Sequence, residues 1–447
     1  MSRRLDYPAA VDALRARGRF GISLGLERVT AILDRLDHPE RGLRGALVGG
    51  TNGKGSVVAL ALAALREAGL RVGTMPKPHL VSYRERIAID GQPLSEAAFA
   101  TAVSRVLPAV DAVARSLGPP TEFEVLTAAA FAELARARVD LAVVEVGMGG
   151  RLDATNVLDP GVAAVTNVAL DHEKHLGPTL AAIGTEKAMI IKPGDLAVTG
   201  ATGRGLLPIV ERCASIDVPL RRAGPRQAYR ATVRDAGWDG LVLDVRGGGR
   251  RLDGLVVGML GRHQAANAAV AIALLDAIQQ AAESRGAAFH DLDDHAIRRG
   301  FAAARWPGRL ELLRTTAAGP VLLDGAHNPA GARALAAALA DLGLHGAPFV
   351  FGAQRGKRVA AVLRALAPLR PRPIFTRVAD PNAIPPADLL RAWRRIGPGG
   401  SVADDPWTAL ARAAEARRGP EQPVVVAGSL YLVGAVRGML LGERSDA

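Results

Sequence analysis

Hydrophobic and polar positions follow two different periods along the 447-residue chain. Short runs rich in valine, alanine and leucine are followed by longer Ala/Leu/Arg segments in which apolar residues recur at helical spacing. Repeated strand–helix units of this kind are typical of a mainly parallel sheet covered by helices. The pattern therefore predicts an α/β fold.

The first two-thirds of the chain contains most of these units. Predicted buried strands cover 43–49, 71–74, 141–146, 162–168 and 196–199, and predicted helices cover 56–68, 180–190 and 267–281. Residues 221–257 differ, because apolar positions alternate there among Arg and Gly, which favours antiparallel hairpins. We expect a mainly parallel-sheet domain that carries a subsidiary β region.

A Pro-Gly pair at Pro307 and Gly308 is typical of a hinge. After it the strand–helix alternation starts again, with predicted strands at 321–323, 348–351 and 424–426 and a predicted helix at 331–342. This predicts a first domain over residues 1–309 and a smaller, Rossmann-like α/β domain over residues 310–447.

The net charge of +12 raises the possibility of a nucleic-acid partner, because basic surfaces attract phosphate. The arginines are spread along the whole chain, however, and aromatic residues make up only 4%, so that platforms for base stacking are scarce. We expect anionic small molecules, and no nucleic acid, to be the partners.

The single cysteine, Cys213, excludes an internal disulfide and a thiolate zinc site, which is consistent with a reducing compartment. No uninterrupted apolar run reaches the ~18 residues of a membrane span, and the amino-terminal segment has no apolar stretch of signal-peptide length. We expect a cytoplasmic protein with no membrane contact. In the absence of a heptad pattern, we expect a monomer.

The strongest chemical signal is the glycine-rich segment 49–56, which lies between a predicted strand and a predicted helix. Its backbone N–H groups are placed to surround phosphate oxygens, Lys54 to neutralise the β/γ-phosphates, and Ser56 to reach Mg²⁺. This predicts a P-loop site for ATP. The spacing departs from the usual P-loop because Gly55 separates the lysine from the serine.

Two acidic positions follow predicted strands. Glu145 ends a buried run, where an unpaired carboxylate would be costly, so that either a metal ion or a nearby cation such as Arg151 must satisfy it. Asp171 and His172 follow the next strand, at the edge where α/β enzymes bind ligands. Taken alone, a histidine at position 172 is more often a hydrogen-bonded loop residue than a metal ligand.

The segment Gly50–Ser56 (GTNGKGS) resembles the Mur ligase superfamily, and specifically folylpolyglutamate synthase and dihydrofolate synthase. Further matching motifs follow in order from about residue 20 to about residue 435. They are 25–29 (GLERV), 78–80 (PHL), 85–87 (ERI), 123–124 (FE), 145–156 (EVGMGGRLDATN), 170–172 (LDH), 186–188 (EKA), 263–264 (HQ), 267–268 (NA), 306–311 (WPGRLE), 324–329 (DGAHNP) and 428–431 (GSLY).

The resemblance implies a Mg²⁺- and ATP-dependent ligase that adds L-glutamate to dihydropteroate or to the γ-glutamyl tail of folates. An acyl phosphate is the implied intermediate, with ADP and phosphate as products. A superfamily ligase acting on a peptidoglycan precursor is the nearest alternative, and a P-loop ATPase that binds nucleic acid is the alternative outside the class.

The resemblance also implies roles for individual residues. Implied catalytic residues are Lys54, Lys187 and His327, and implied metal-binding residues are Ser56, Glu145, His172 and Lys187. Implied ATP-binding residues are Gly53, Lys54, Gly55, Ser56, Asn267, Arg309 and Asp324. Implied substrate-binding residues are Thr121, Phe123, Glu124, Leu152, Asp153, Ala154 and Ser429. In the family the lysine that matches Lys187 is carbamylated; without the resemblance, a surface pair with Glu186 is the favoured interpretation of Lys187.

Three positions depart from the family pattern. Lys77 stands where the family has a metal-ligating serine, and an ammonium group repels a metal ion. It could replace the charge of the metal, contact a phosphate or carboxylate, or point away. Met189 replaces a glycine, and the segment 355–358 (RGKR) lacks the usual acidic residue before Lys357.

Overall fold

The computed structural model describes residues 5–18, 25–284, 292–316, 318–378, 380–443 and 446. Within these residues the strands form three sheets, of eight, three and six strands. The strands are β1 (Gly45–Gly49), β2 (Val72–Met75), β3 (Ala88–Ile89), β4 (Gln92–Pro93), β5 (Leu141–Glu145), β6 (Val162–Val165), β7 (Leu196–Thr199), β8 (Leu220–Arg222), β9 (Arg230–Gly237), β10 (Gly240–Gly247), β11 (Arg250–Val257), β12 (Arg309–Thr315), β13 (Gly319–Asp324), β14 (Pro348–Phe351), β15 (Arg372–Phe375), β16 (Ser401–Val402) and β17 (Val424–Ala427).

Helices cover the sheets. The α-helices in the described part of the chain are α1 (Tyr7–Gly18), α2 (Glu27–Asp34), α3 (Lys54–Glu67), α4 (Glu96–Leu117), α5 (Glu122–Arg136), α6 (Glu173–Leu176), α7 (Leu180–Ala188), α8 (Leu207–Ser215), α9 (Gln264–Glu283), α10 (Asp294–Ala303), α11 (Pro329–Asp341), α12 (Val359–Leu366), α13 (Pro386–Arg394), α14 (Pro406–Glu415) and α15 (Leu430–Leu441). The predicted α/β class is confirmed.

The first sheet has the strand order β4-β3-β2-β5-β1-β6-β7-β8 and is parallel from β2 to β8. It is buried on both faces: Ala46 and Val48 of β1 pack in one apolar cluster, and Leu47 packs in another on the opposite face. Because β1 lies between β5 and β6, the turn that follows β1 lies at the centre of the carboxyl edge, where parallel sheets bind ligands.

Within the residues that the structure describes, two helices, α4 and α9, are long and apolar enough to span a membrane by length and hydropathy alone. The prediction of no membrane span considered only uninterrupted apolar runs. Polar residues such as Asp111 and Asn267 interrupt those runs without lowering the mean hydropathy of the helices much. In their most apolar windows, 50% of α4 and 67% of α9 is buried inside the fold, as in core helices of α/β proteins.

The subsidiary β region exists but is shorter than predicted. Strands β9, β10 and β11 form an antiparallel meander over residues 230–257. Residues 220–222, by contrast, form β8 and extend the first sheet in parallel with β7. The predicted strand 162–168 is also shorter and ends at Val165, because the side chains of Thr166 and Asn167 donate to the carbonyl oxygen of Asn52.

The third sheet has the order β12-β13-β17-β14-β15-β16, with β12 antiparallel at one edge and the other strands parallel. It begins at Arg309, the residue that the sequence assigned to the hinge. We call the part up to residue 309 the first lobe and the part from residue 310 the second lobe; this division of the chain into domains stays a prediction.

Candidate active site

One cavity of about 910 Å³ lies at the carboxyl edge of the first sheet and is walled by both lobes. All the site residues singled out in the sequence line it except Ser429. The hydroxyl of Ser429 is buried and accepts a hydrogen bond from the backbone N–H of Tyr431, which caps α15. Its predicted contact with glutamate stays a prediction.

The glycine-rich turn packs too tightly for side chains. Gly53 has φ of +81°, and a Cβ there would lie 2.3 Å from Oδ1 of Asn267. A Cβ on Gly55 would lie 2.5 Å from the indole Nε1 of Trp306. The glycine between Lys54 and Ser56 is therefore required because the segment before the hinge packs directly on the start of α3.

Lys54 is held by its own loop. Its Nζ donates to the carbonyl oxygens of Gly50 (3.2 Å) and Thr51 (3.4 Å) and lies 3.9 Å from Oε1 of Glu145. Burial lowers the pKa of the Lys54 ammonium, and the Glu145 carboxylate opposes that shift. The lysine is thus positioned at the mouth of the turn, where a phosphate group would displace weak contacts.

Glu145 ends β5, and only 4% of it is exposed. Its close polar contacts are with Lys54 and the backbone N–H of Lys77, 3.4 Å from Oε2. Burial raises the pKa of this carboxyl group in spite of the nearby cations. Arg151 pairs with Glu186 at 2.9 Å, so the alternative of a Glu145–Arg151 pair is wrong.

Lys187, at the end of α7, is 4% exposed, and its Nζ donates to the carbonyl oxygen of Gly50 at 3.0 Å. The alternative of a surface pair with Glu186 is wrong, because Glu186 pairs with Arg151. Burial and the neighbouring Lys54 lower the pKa of Lys187 to about 7. An amine that loses its proton this readily is chemically suited to react with carbon dioxide.

Lys77 lies in the part of the cavity that Phe123 and Asp153 line, next to Glu145, whose Oε2 its backbone N–H approaches at 3.4 Å. Its Nζ lies 3.9 Å from the centre of the Phe123 ring and 3.7 Å from Oδ1 of Asp153. Its side chain is 6% exposed and the ammonium makes no hydrogen bond to the described residues. Burial lowers the pKa of Lys77 to about 8, against the attraction of Asp153 and Glu145.

Asp153 and Thr121 fix the loops around Lys77 and Phe123. The Asp153 carboxylate accepts hydrogen bonds from the backbone N–H groups of Gly147 (2.9 Å), Met148 (3.0 Å) and Thr155 (3.0 Å). Thr121 forms a capping box with Glu124 at the start of α5. Glu124 in turn pairs with Arg28 of α2 at 3.0 Å, which ties the helix that carries the matching 25–29 motif to α5.

Asp171 joins the lobes. Its carboxylate accepts from Nζ of Lys357 (2.6 Å) and Nδ2 of Asn328 (3.2 Å), and its Oδ2 lies 3.4 Å from Nε2 of His327. Burial opposes ionisation, but the hydrogen bond from His327 and the Lys357 ammonium outweigh it and hold the pKa of Asp171 well below its usual range. Burial and Lys357 lower the pKa of His172 to about 4, so that its imidazole is neutral at pH 7.

The start of the second lobe is equally well fixed. Asp324 ends β13, and its oxygens accept from the backbone N–H groups of Leu310 (3.0 Å) and Ala326 (2.9 Å). Burial raises the pKa of Asp324, while Arg309 opposes the shift. His327 Nδ1 lies 2.8 Å from the carbonyl oxygen of Gly325, which orients the ring towards Asp171.

Sequence reasoning missed two residues of this junction. Asn328 bridges the lobes, because its Nδ2 also donates to Oδ1 of Asn52 at 2.9 Å. Lys357 had been identified only as added positive charge. The available signals were the rarity of lysine, with six in the chain, and the place of Asn328 in the segment 324–329.

Two family models match the chain. The "Mur ligase middle domain" matches residues 48–275, and the "Dihydrofolate synthetase, C-terminal domain" matches residues 310–440. The Bacillus subtilis protein named "Dihydrofolate synthase/folylpolyglutamate synthase" is 33% identical over 438 residues, which cover 96% of this chain and 98% of that protein. The chain belongs to the folylpolyglutamate synthase/dihydrofolate synthase family. It is therefore an ATP-dependent ligase.

Two further relatives match this chain over different shares of their own length. The Mycobacterium tuberculosis "Dihydrofolate synthase/folylpolyglutamate synthase" is 38% identical, over 84% of this chain and 79% of that protein. The chain spans about half the length (50%) of the Haloferax volcanii relative, a "Probable bifunctional folylpolyglutamate synthase/dihydropteroate synthase" that is 34% identical over 97% of this chain.

Solved structures of the family superpose over nearly the whole chain. The M. tuberculosis folylpolyglutamate synthase complexed with ADP and AMPPCP has a TM-score of 0.88 at 34% identity, over 97% of this chain and 99% of that one. The Escherichia coli protein in complex with DHPP and ADP has a TM-score of 0.84 at 29% identity, over 99% of both chains. The fold of the family is thus conserved in both lobes.

Proposed function

We propose that the protein joins L-glutamate to the carboxylate of dihydropteroate, or to the γ-carboxylate of a folate tail, at the expense of ATP. The observation that carries the proposal is the main cavity. It is lined by the P-loop, by the segments 121–124 and 152–154 that hold the implied substrate-binding residues, and by the second lobe. Relatives of this chain are named for both reactions, and one solved relative binds DHPP and ADP.

The reaction has two steps. A carboxylate oxygen of the acceptor attacks the γ-phosphorus of ATP, the bond to the bridging oxygen breaks, and ADP leaves. The amine of L-glutamate then attacks the acyl carbon, phosphate leaves with the former carboxylate oxygen, and the amine loses a proton. We propose that Lys54 neutralises the transferred phosphoryl group and that Arg309, which lines the same cavity, contacts the nucleotide.

The second lobe supports the second step. His327 and Asp324 line the cavity opposite the P-loop, and the contacts of Asp171 with Lys357 and Asn328 hold the two lobes together. A closed cavity brings the amine and the acyl phosphate close and keeps water away from a reactive intermediate. We propose that His327 and Ser429 belong to the glutamate pocket.

We propose that Glu145 helps to hold a divalent cation, Mg²⁺, and that Lys54 and Lys77, which lie beside this carboxylate, share in neutralising its charge. Glu145 is a buried carboxylate whose charge its neighbours compensate only partly, and Ser56 lies in the same wall. We propose that His172 shares this ion with Glu145 and that Lys187, as its carbamate, would serve a second metal ion. When bound, Mg²⁺ supplies charge neutralisation for the phosphates. A relative from Yersinia pestis was solved with AMPPNP and a Mn ion.

The proposed compartment and partners are those of an enzyme that acts on small molecules. We propose a monomeric protein of the cytoplasm, where ATP and L-glutamate are available, that binds no nucleic acid. The buried thiol of Cys213 fits this compartment. Size-exclusion chromatography with light scattering, and an electrophoretic shift assay at physiological salt, would check these two expectations.

The proposed function is tested by product analysis. The protein is incubated with Mg-ATP and L-glutamate plus either dihydropteroate or a reduced folate, and ADP and the mass of the product are measured. We expect one ADP for each glutamate added, in at least one of the two mixtures. Release of ADP that does not depend on glutamate, with no gain in acceptor mass, would refute ligation.

A further inference from the structure

Lys77 is the clearest difference between this cavity and the family pattern. Lys77 lines the main cavity and also a second cavity of about 440 Å³, which Pro76 and Pro78 line as well. The side chain is 6% exposed, and its Nζ makes no hydrogen bond within the described part of the chain. A buried cation without hydrogen bonds is costly, so its retention calls for a function.

The contacts of the ammonium group define what it does. It does not ion-pair directly with Glu145 but lies 3.7 Å from Asp153 and 3.9 Å above the centre of the Phe123 ring. Asp153 is anchored independently by three backbone N–H groups, so it does not need Lys77 to stay in place. The contact that depends on Lys77 is therefore the one with Phe123.

Phe123 has one face against the ammonium, and the ring also lines the main cavity. The ring surface available to a ligand is therefore the part that Lys77 leaves uncovered. A cation over one face draws electron density from the ring and strengthens stacking of an electron-rich aromatic group on the other. The same positive charge attracts an anion bound nearby, because the site is shielded from water.

We propose that Lys77 is a positioning residue for the acceptor substrate: by holding one face of the Phe123 ring, it selects an aromatic acid whose ring stacks on the face that Lys77 leaves free. The proposal rests on the proposed function, since the acceptor that fits this description is of the pteroate class. Lys77 would thus act in binding the acceptor, and not in binding the metal ion or the phosphates.

The test is a double-mutant cycle on acceptor binding. Lys77→Met keeps the length of the side chain and removes the charge, and Phe123→Leu removes the ring. The dissociation constant of pteroate is measured by calorimetry in the presence of Mg²⁺ and a non-hydrolysable ATP analogue. We expect each single variant to weaken pteroate binding about 5- to 30-fold, and the double variant to be no weaker than the worse single one.

Two further variants separate positioning from a general effect. Lys77→Arg keeps a cation over the ring and should restore most of the affinity that Lys77→Met loses. Lys174→Met removes an exposed lysine of α6 outside the cavity and should change nothing. In Lys77→Met we expect a raised KM for the acceptor with a nearly unchanged kcat, and unchanged affinity for the ATP analogue. Thermal melting checks that each variant folds.

The outcomes are distinct. Unchanged pteroate affinity in Lys77→Met, additive effects in the double variant, or a loss of nucleotide affinity instead would overturn the proposal while leaving the ligase function intact. If the wild-type protein binds the ATP analogue but neither pteroate nor a reduced folate, the proposed acceptor class is wrong and the role of Lys77 falls with it.

Discussion

Two of the buried lysines that line the cavity, Lys54 on its nucleotide side and Lys77 on its acceptor side, have different surroundings. At the nucleotide end, Lys54 contacts two carbonyl oxygens and Glu145, all from elements that parallel-sheet topology brings together. At the acceptor end, Lys77 contacts one aromatic ring and one carboxylate that is already satisfied. Burial alone therefore does not reveal the role of a lysine; the identity of its partners does.

The largest effect is expected at the nucleotide end. Lys54→Met should reduce kcat by about 10³-fold, because the transferred phosphoryl group loses its main protein cation. Steady-state ADP release with saturating acceptor and L-glutamate measures this, with Lys174→Met as the control. If Lys54→Met kept more than a tenth of the wild-type rate, the two ends of the cavity would not differ as described.

The buried amine of Lys187 gives the next effect. We expect it to form a carbamate, which would appear as a new carbonyl signal in ¹³C NMR after incubation with ¹³C-bicarbonate. Lys187→Gln should lose this signal and about 10²-fold in kcat. Lys192→Gln is the control and should keep the signal, because the Nζ of Lys192 is held by Asn156 and two carbonyl oxygens. A signal that persists in Lys187→Gln would assign the carbamate to another amine.

The junction of the lobes is expected to matter less. Lys357→Met removes the 2.6 Å contact with Asp171 but leaves Asn328 and His327 against the same carboxylate. We expect about a 10-fold fall in kcat/KM for L-glutamate. Arg358→Gln, which loses only the exposed pair with Glu173, is the matched control and should fall less than 2-fold. Equal losses in both variants would contradict a specific role for Asp171.

The last effect is on stability and not on activity, and it has the opposite sign. Because burial lowers the pKa of Lys77 from 10.5 to about 8, charging this group costs free energy in the folded state at any pH below 8. Lys77→Met should therefore raise the free energy of unfolding by about 1 to 3 kcal/mol at pH 7. The gain should shrink as the pH rises from 8 towards 10.5. Urea titrations at pH 7 and pH 9.5 measure it, and a loss of stability at pH 7 would contradict the account.

Much of the fold followed from local patterns in the sequence. The strands at 196–199 and 348–351 were predicted with their observed bounds, because continuous apolar runs flanked by Gly and Pro mark buried parallel strands. The helix α4 was missed, since Pro108 lies inside it and its apolar positions are interrupted by polar residues. The end of β6 was misplaced, because tertiary contacts of Thr166 and Asn167 decided it.

The candidate site divides in the same way. Residues in continuous motifs, such as Lys54 and Glu145, were predicted to lie together because strand ends share one edge of the sheet. Two features were not predictable: the contact of Asp171 with Lys357, and the position of the Lys77 ammonium over the Phe123 ring. They depend on how side chains from distant segments of the chain meet, which no local pattern records.

The central claim is that the acceptor carboxylate is phosphorylated before glutamate is added. The most direct test uses dihydropteroate labelled with ¹⁸O in both carboxylate oxygens, or a labelled folate if that is the substrate, and follows the released phosphate by ³¹P NMR. The account predicts one ¹⁸O atom in each phosphate formed during ligation. Product formation with unlabelled phosphate would show that no acyl phosphate forms, and would contradict the account.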